Sequence, residues 1–192
     1  MGVTLDKAAV KKCEVFGRNV VAGYAAGRKE RSKALFVPGK PTIHDNWQAQ
    51  ADARLAELAF IRTAGFSDDY LNWSDKCDGS HDLKLHNLRI DVKSSTHPRA
   101  ERLIWPVSKN HFIQDAADIL VAVKLKRKDD NSAIAELVGW VGRHTFMQKA
   151  EVSKGEARIV KGTKFMMYDN LSNMLDLFHI TRIAAAAAGS NL

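Results

Sequence analysis

Two aspartates and a lysine lie within one short alternating segment of the sequence. In DLKLHNLRIDVKSS, which begins at Asp82, apolar and polar residues alternate on both sides of the dipeptide His86-Asn87. Alternation of period two around a pair of turn-forming residues predicts a β-hairpin. With a two-residue loop at this dipeptide, Asp82 would pair with Asp91, and Asp91 would share a face of its strand with Lys93. The spacing therefore predicts that two carboxylates and one ammonium group converge on one side of a hairpin.

The predicted pairing of Asp82 with Asp91 has a chemical consequence. Directly opposed residues of a hairpin have Cβ atoms about 4.5–5.5 Å apart, so two carboxylates at such positions repel each other. A divalent cation between them replaces this repulsion by coordination, and Mg²⁺ is bound in proteins by carboxylates, water and phosphate oxygens. The alternative is a solvent-exposed polar face on which Lys93 neutralises one of the aspartates.

A helix before the hairpin contributes a third carboxylate. Asp45 or Asn46 is a suitable N-cap and Gly65 a suitable residue just beyond the C-terminus, so the segment WQAQADARLAELAFIRTA between them is predicted to be helical. Glu57 falls within the apolar stripe of this helix. An unpaired buried charge is costly, so Glu57 is expected to have a charged partner.

Two further segments complete the predicted sheet. ILVAVKLK is a continuous apolar run of strand length, as expected for a covered central strand, and AELVGWVG follows after the turn DDNS. The two glycines around Trp140 predict a β-bulge or a close approach of another backbone. Strands and helices in this order indicate one α/β domain with a central mixed β-sheet flanked by helices.

The order of these residues resembles the motif of the PD-(D/E)XK nuclease superfamily. In that family a helix carries a glutamate, one strand an aspartate, and the next strand an acid, one residue and a lysine. Glu57 in AELAF, Asp82 in HDLKL and Asp91-Val92-Lys93 in RIDVKSS match this order over about residues 46–126. The proline that usually precedes the first aspartate is replaced by His81. The resemblance implies a restriction-endonuclease-like core. A junction-resolving enzyme and a restriction-like or nicking enzyme are not separable from this sequence, although the compact size and VKSS after the active strand slightly favour small resolvase-like members.

The resemblance also implies a function, that of a Mg²⁺-dependent endodeoxyribonuclease, with Mn²⁺ expected to substitute. Asp82, Asp91 and the carbonyl of Val92 would be the metal ligands, with Glu57 reaching the metal directly or through water. Lys93 would orient or deprotonate the attacking water and offset charge on the phosphate. Glu57, Asp82, Asp91 and Lys93 are thus the expected catalytic residues.

Two alternatives remain open from the sequence. Glu57 has a structural interpretation, an ion pair with Arg54 or Lys93. For the whole protein, the alternative is a non-catalytic nucleic-acid-binding protein that keeps a nuclease-like fold. Two opposed aspartates argue against this second alternative, because a binding protein does not need them.

The charge distribution indicates a polyanionic partner. The net charge is +7, and residues 1–45 contribute +5 of it, with nine Lys and Arg against four acids. A basic N-terminal arm or helix over 1–45 would bind the DNA backbone, because each neutralised phosphate releases condensed counterions. Alternatively, apolar residues such as Phe16 and Val20 would dock this segment onto the core or a second subunit of a homodimer. The nuclease-like domain is expected over 46–183, followed by a flexible tail over 184–192.

Composition excludes several other classes of protein. Hydrophobic residues make up 45% and charged residues 27% of the 192 residues, which argues against wholesale disorder. No apolar run has the roughly 18 residues that a membrane span needs, so no membrane partner is expected. Two cysteines do not form a disulfide framework in a chain of this length, and the cysteine and histidine spacings match no common zinc pattern. A cytoplasmic protein is the resulting expectation.

Overall fold

A computed structural model of the chain describes residues 1–26, 46–73, 82–85, 87–105, 117–155 and 161–187. The helices in these ranges are α1 (Lys7–Ala25), α2 (Trp47–Ala64), α3 (Arg143–Lys149) and α4 (Met174–Ala187). The strands are β1 (Gly2–Leu5), β2 (Leu83–Leu85), β3 (Leu88–Ser95), β4 (Arg102–Trp105), β5 (Ile119–Arg127), β6 (Ala133–Gly142), β7 (Glu151–Val152) and β8 (Lys164–Met167). No helix in the described ranges is long and apolar enough to cross a membrane.

The central sheet is mixed, as the sequence predicts. Its five strands lie in the order β1-β6-β5-β3-β2. β3 and β5 are parallel, and the other neighbouring pairs are antiparallel. A second, antiparallel sheet with the order β4-β8-β7 covers part of the first, and the sequence analysis did not predict it.

The hairpin forms with the predicted register, except at its open end. Leu83 pairs with Ile90, Lys84 with Arg89 and Leu85 with Leu88. Asp82 lies just before β2, outside this ladder, and its N–H donates to the carbonyl of Ile90. The predicted ladder pair of Asp82 and Asp91 is therefore wrong in detail, because the chain leaves the regular register at that residue.

Helix α2 has the predicted ends. The side chain of Asn46 accepts hydrogen bonds from the backbone N–H groups of Gln48 and Ala49, which the first turn of the helix leaves without partners. Gly65 ends the helix in the left-handed conformation with φ of 84°. These two caps fix the extent of the helix that carries Glu57.

The N-terminal segment is part of the folded body. β1 extends the central sheet by pairing with β6, and α1 packs against α2. Leu5, Val10 and Cys13 are buried in the main core. Residues 1–26 are thus docked, which is the alternative that the sequence left open, while residues 27–45 lie outside the described residues.

The two faces of the central sheet have different cores. Ile90 and Val92 of β3 belong to the main core, which lies against α1 and α2. Asp91 and Lys93 alternate with them and therefore face the second sheet. At the C-terminal end of the chain, α4 continues to Ala187, four residues into the predicted tail, and residues 188–192 lie outside the described ranges.

Candidate functional site

Asp91 and Lys93 form an ion pair on the second-sheet face of β3. The ammonium group of Lys93 contacts Oδ2 of Asp91. Asp91 is only 1% exposed, whereas the side chain of Lys93 is 24% exposed. The ammonium group also lies 5.3 Å from the centroid of the Trp105 ring, which belongs to β4. The lysine is therefore held between a carboxylate and an aromatic face, both of which favour its charged form.

Asp82 is held beside the backbone that carries Asp91. Its Oδ2 accepts a hydrogen bond from the N–H of Val92 at 2.7 Å. Its own N–H donates to the carbonyl of Ile90. Asp82 thus bridges the peptide groups on both sides of Asp91, so two aspartates that are nine positions apart in sequence are fixed next to each other.

Glu57 approaches the hairpin from α2, which packs on the main-core face of the sheet. It is 6% exposed, and its Oε2 lies 2.6 Å from NH1 of Arg54. The Arg54 guanidinium is stacked over the Phe16 ring of α1 at 4.1 Å. The ion pair of Glu57 with Arg54, one of the two pairings considered from the sequence, is therefore present.

The ionisation of Glu57 and of Lys93 depends on the charges of the other members of this carboxylate cluster (Glu57, Asp82, Asp91 and Lys93). Burial and the neighbouring charge of Asp82 raise the pKa of Glu57 well above its usual range, and Asp91 adds to this effect while Arg54 opposes it. Burial acts to lower the pKa of Lys93, but the charges of Asp91, Asp82 and Glu57 outweigh it, so the pKa is raised. Glu57, Asp82, Asp91 and Lys93, drawn from three separate elements, are thus close enough to affect one another.

Two carboxylates of the cluster are each paired with a basic group of the protein. Glu57 Oε2 and Asp91 Oδ2 are buried and accept no hydrogen bond of good geometry from the described residues, and each is faced instead by a basic group. Within the described part of the chain, no group of three or more His, Cys, Asp or Glu side chains has the arrangement of a metal site. The arrangement present is a pair of adjacent ion pairs.

An ion-paired aspartate at the end of the sheet was not assigned a role from the sequence. Asp118 receives two hydrogen bonds from the Arg89 guanidinium, at 2.9 and 3.1 Å, and a third from the Arg89 N–H. These hydrogen bonds lower the pKa of Asp118 to about 2. Its carbonyl accepts from the N–H of Arg143 at the start of α3. Asp118 thus ties β3, β5 and α3 together beside the candidate site.

The glycines around Trp140 have the predicted close backbone approach. Trp140 and Ser172 exchange two backbone hydrogen bonds, of 2.8 and 3.1 Å. A Cβ at Gly139 would lie 2.7 Å from Cβ of Leu171 and 2.9 Å from the Ser172 carbonyl oxygen, so only glycine fits there. Next to this contact is a cleft of about 500 Å³, whose lining includes Gly142, Lys149 and Met166.

Comparisons with known proteins add no family assignment. No protein-family model matches the chain. Searches of curated proteins and of solved structures likewise find no match. The residues and contacts described above are therefore the basis for inferring a function.

Proposed function

We propose that this protein is a Mg²⁺-dependent endonuclease that acts on DNA and has a restriction-endonuclease-like core. The observation that carries the proposal is the convergence of Glu57, Asp82, Asp91 and Lys93 from α2, the start of β2 and β3. Three acids and a lysine, held together although burial raises the pKa of Glu57, are typical of sites at which function opposes stability.

The order of elements supports the same interpretation. A helix with a glutamate is followed by a hairpin with an aspartate at the start of its first strand and the Asp-x-Lys sequence on its second strand. β5 then lies parallel to β3, so the chain crosses over between them. This is the succession expected from the resemblance of residues 46–126 to the nuclease superfamily.

The carboxylate and carbonyl oxygens are ligands of the type that Mg²⁺ prefers, although the carboxylates of the described residues are not arranged as a metal site. Asp82 and Asp91 with the Val92 carbonyl would hold the ion, and Glu57 would reach it directly or through water. The buried carboxylate oxygens of Glu57 and Asp91, which are now faced by Arg54 and Lys93, are the atoms that the ion would bind. When bound, the ion would supply charge neutralisation at the scissile phosphate and a lowered pKa of its water.

Lys93 has the properties of an electrostatic group rather than a base. Its raised pKa keeps it protonated at neutral pH, so it is unable to accept a proton from water. An ammonium group that is partly exposed and fixed by Asp91 is suited to donate hydrogen bonds to a phosphate oxygen and to offset the charge that develops there. Of the two roles considered from the sequence, orientation and charge stabilisation are favoured over deprotonation.

The test is cleavage of supercoiled plasmid, a four-way junction and single-stranded DNA, each with Mg²⁺, Mn²⁺ or EDTA. We expect cleavage with either metal and none with EDTA. Asp91→Ala should lower the rate at least about a hundredfold, a common cost of losing one electrostatic stabiliser. Asp129→Ala, an exposed aspartate in the β5–β6 turn, is the matched control and should keep wild-type activity. Wild-type turnover by Asp91→Ala would refute the assignment.

A second candidate, a non-catalytic nucleic-acid-binding protein with this fold, is favoured by one observation. The carboxylates are already neutralised by Arg54 and Lys93, as in a purely structural ion-pair cluster. The two candidates differ in their response to metal without DNA. A ligand at 100 times its Kd stabilises the folded state by about 2.7 kcal/mol, so the nuclease should melt at a higher temperature in excess Mg²⁺. An unchanged melting temperature together with tight DNA binding would support the second candidate.

A further inference from the structure

The solvent-exposed face of α1 carries positive charge and no acid. Its exposed residues lie on one stripe of the helix and are Lys7, Ala8, Lys11, Lys12, Val15, Arg18, Asn19 and Ala22. Four of these eight residues are cations and none is an acid. The face from Lys7 to Arg18 is about 16 Å long, at about 1.5 Å per residue.

The charge of this face is not neutralised within the helix. Glu14 is the only acid in α1, and it binds Arg127 of β5 at 2.6 Å. Lys12 lies 3.9 Å from Asp68, a distance at which an exposed pair contributes little. The only carboxylate of the helix thus binds to the sheet, and the outer face of the helix stays positively charged.

A short chain of contacts connects this face to the candidate site. The ammonium group of Lys12 lies 3.8 Å from the centroid of the Trp73 ring. The guanidinium of Arg54 lies 5.7 Å from the same centroid, and it pairs with Glu57. A single indole and a single arginine therefore separate the basic face from Glu57, whereas Asp91 and Lys93 lie on the other face of the sheet.

We propose that the exposed face of α1 (Lys7, Lys11, Lys12 and Arg18) binds the phosphate backbone of duplex DNA beside the candidate site. The proposal rests on the proposed nuclease function for the identity of the polyanion. One strand of a duplex presents a phosphate every 3.4 Å or so, so about five phosphates span the length of the face. Backbone contacts of this kind fix the position of the DNA without reading its sequence.

The experiment measures binding of a short DNA duplex by fluorescence anisotropy, in EDTA, between about 50 and 200 mM salt. The variant Lys7→Gln/Lys11→Gln/Arg18→Gln removes three positive charges from the face. The control variant Lys149→Gln/Lys154→Gln/Lys161→Gln removes three exposed lysines that lie after β6, around α3 and β7. Both variants lower the net charge from +7 to +4, so they differ only in where the charge is lost.

We expect the α1 variant to flatten the slope of log K against log salt by roughly 2–3, at about 0.9 per lost phosphate contact, and the control to change it much less. Equal slopes for the two variants, both folded by circular dichroism, would overturn the proposal. So would wild-type protein that binds vesicles of anionic lipid but not the duplex.

The measurement is independent of cleavage. Because EDTA removes the metal, a protein that never cleaves DNA still gives a binding slope. An α1-dependent slope without any cleavage in Mg²⁺ would keep this inference and reject the nuclease. Cleavage with a salt slope that does not depend on α1 would reject this inference and keep the nuclease.

Discussion

The carboxylate of Asp82 has two effects that a single substitution separates. It accepts a hydrogen bond from the buried Val92 N–H, and its charge helps to raise the pKa of Glu57. Asp82→Asn keeps an acceptor and removes the charge, so we expect the metal-free protein to be at least as stable as the wild type. Asp82→Ala removes both and leaves the amide unpaired, which should cost about 1–3 kcal/mol. Urea unfolding in EDTA measures both, and an Asn variant as unstable as the Ala variant would contradict the first expectation.

At the same residue scale, only the hairpin part of the candidate site follows from spacing, because Glu57 was linked to it by the resemblance to the nuclease motif. Period-two alternation places Asp91 and Lys93 on one face of β3, and their ion pair follows from that. The hydrogen bond of Asp82 to Val92 arises where the chain leaves the ladder, which no periodicity encodes. The stacking of Arg54 on Phe16 requires α1 to lie on α2, a contact between segments far apart in sequence.

Between elements, the contact of α1 with α2 depends on the absence of one side chain. A Cβ at Gly17 would collide with the Trp47 carbonyl oxygen and lie 2.9 Å from the Ala51 amide nitrogen. Alanine in place of glycine normally stabilises a helix by about 1 kcal/mol. Here we expect Gly17→Ala to destabilise the protein by about 1–3 kcal/mol, because backbone atoms must move apart.

Gly142→Ala is the matched control for this substitution. Gly142 has an extended backbone with φ of −67°, and no atom lies within 4 Å of the position its Cβ would take. Its stability should stay within about 0.5 kcal/mol of the wild type. Thermal and urea unfolding compare the two variants, and a stabilised Gly17→Ala variant would show that the helices do not approach this closely.

The junction of β3, β5 and α3 at Asp118 predicts a pH-dependent stability. Hydrogen bonds from Arg89 lower the pKa of Asp118 from 3.8 to about 2, so the folded state favours the carboxylate. Its stabilising contribution is present above pH 3.8 and is lost as the pH falls towards 2. The side chain of Asp118 is 29% exposed. We therefore expect Asp118→Asn to lower the free energy of unfolding by about 1–2 kcal/mol at pH 7.

Urea unfolding of the wild type and of Asp118→Asn at several pH values between 7 and 2 checks this expectation. The difference between the two proteins should shrink as the pH falls below 3.8. A difference that stays constant down to pH 2 would place the effect of the substitution in packing rather than in the charge.

Elements with strong local signals were predictable, and those that depend on distant partners were not. Residues that are adjacent in sequence determine the caps of α2, the register of the β2–β3 hairpin and the apolar run of β5. β4 and β8, by contrast, are four residues each, too short for periodicity to identify, and each is defined by pairing with the other across some sixty residues. A sheet held by such long-range pairs is not visible in a local pattern.

On the scale of the whole molecule, the net positive charge of residues 1–45 was a misleading guide to the position of residues 1–26. The positive charge lies on the outer face of α1, which carries Lys7, Lys11 and Arg18. The inner face of the same helix carries the apolar residues that dock it, and Glu14 anchors it to Arg127. A segment thus serves both as part of the core and as a basic surface, and composition alone does not separate the two.

Deletion of residues 1–26 tests whether this segment is a removable arm or part of the cooperative unit. The deletion removes β1 from the edge of β6 and exposes the core surface beneath α1. It takes away six side chains that the folded protein buries: Leu5, Ala9, Val10, Cys13, Phe16 and Val20. Complete burial of an aliphatic or aromatic side chain is worth about 1.5–3 kcal/mol, and a whole domain is stable by only about 5–15 kcal/mol. We therefore expect the truncated chain to lose its cooperative thermal transition by circular dichroism and to aggregate. The Lys7→Gln/Lys11→Gln/Arg18→Gln variant of the full chain should keep a cooperative transition, lowered slightly by loss of the stacking of Arg18 on Trp47. A truncated monomer with a sharp transition near the wild-type melting temperature would instead show that residues 1–26 contribute little to the stability of the body.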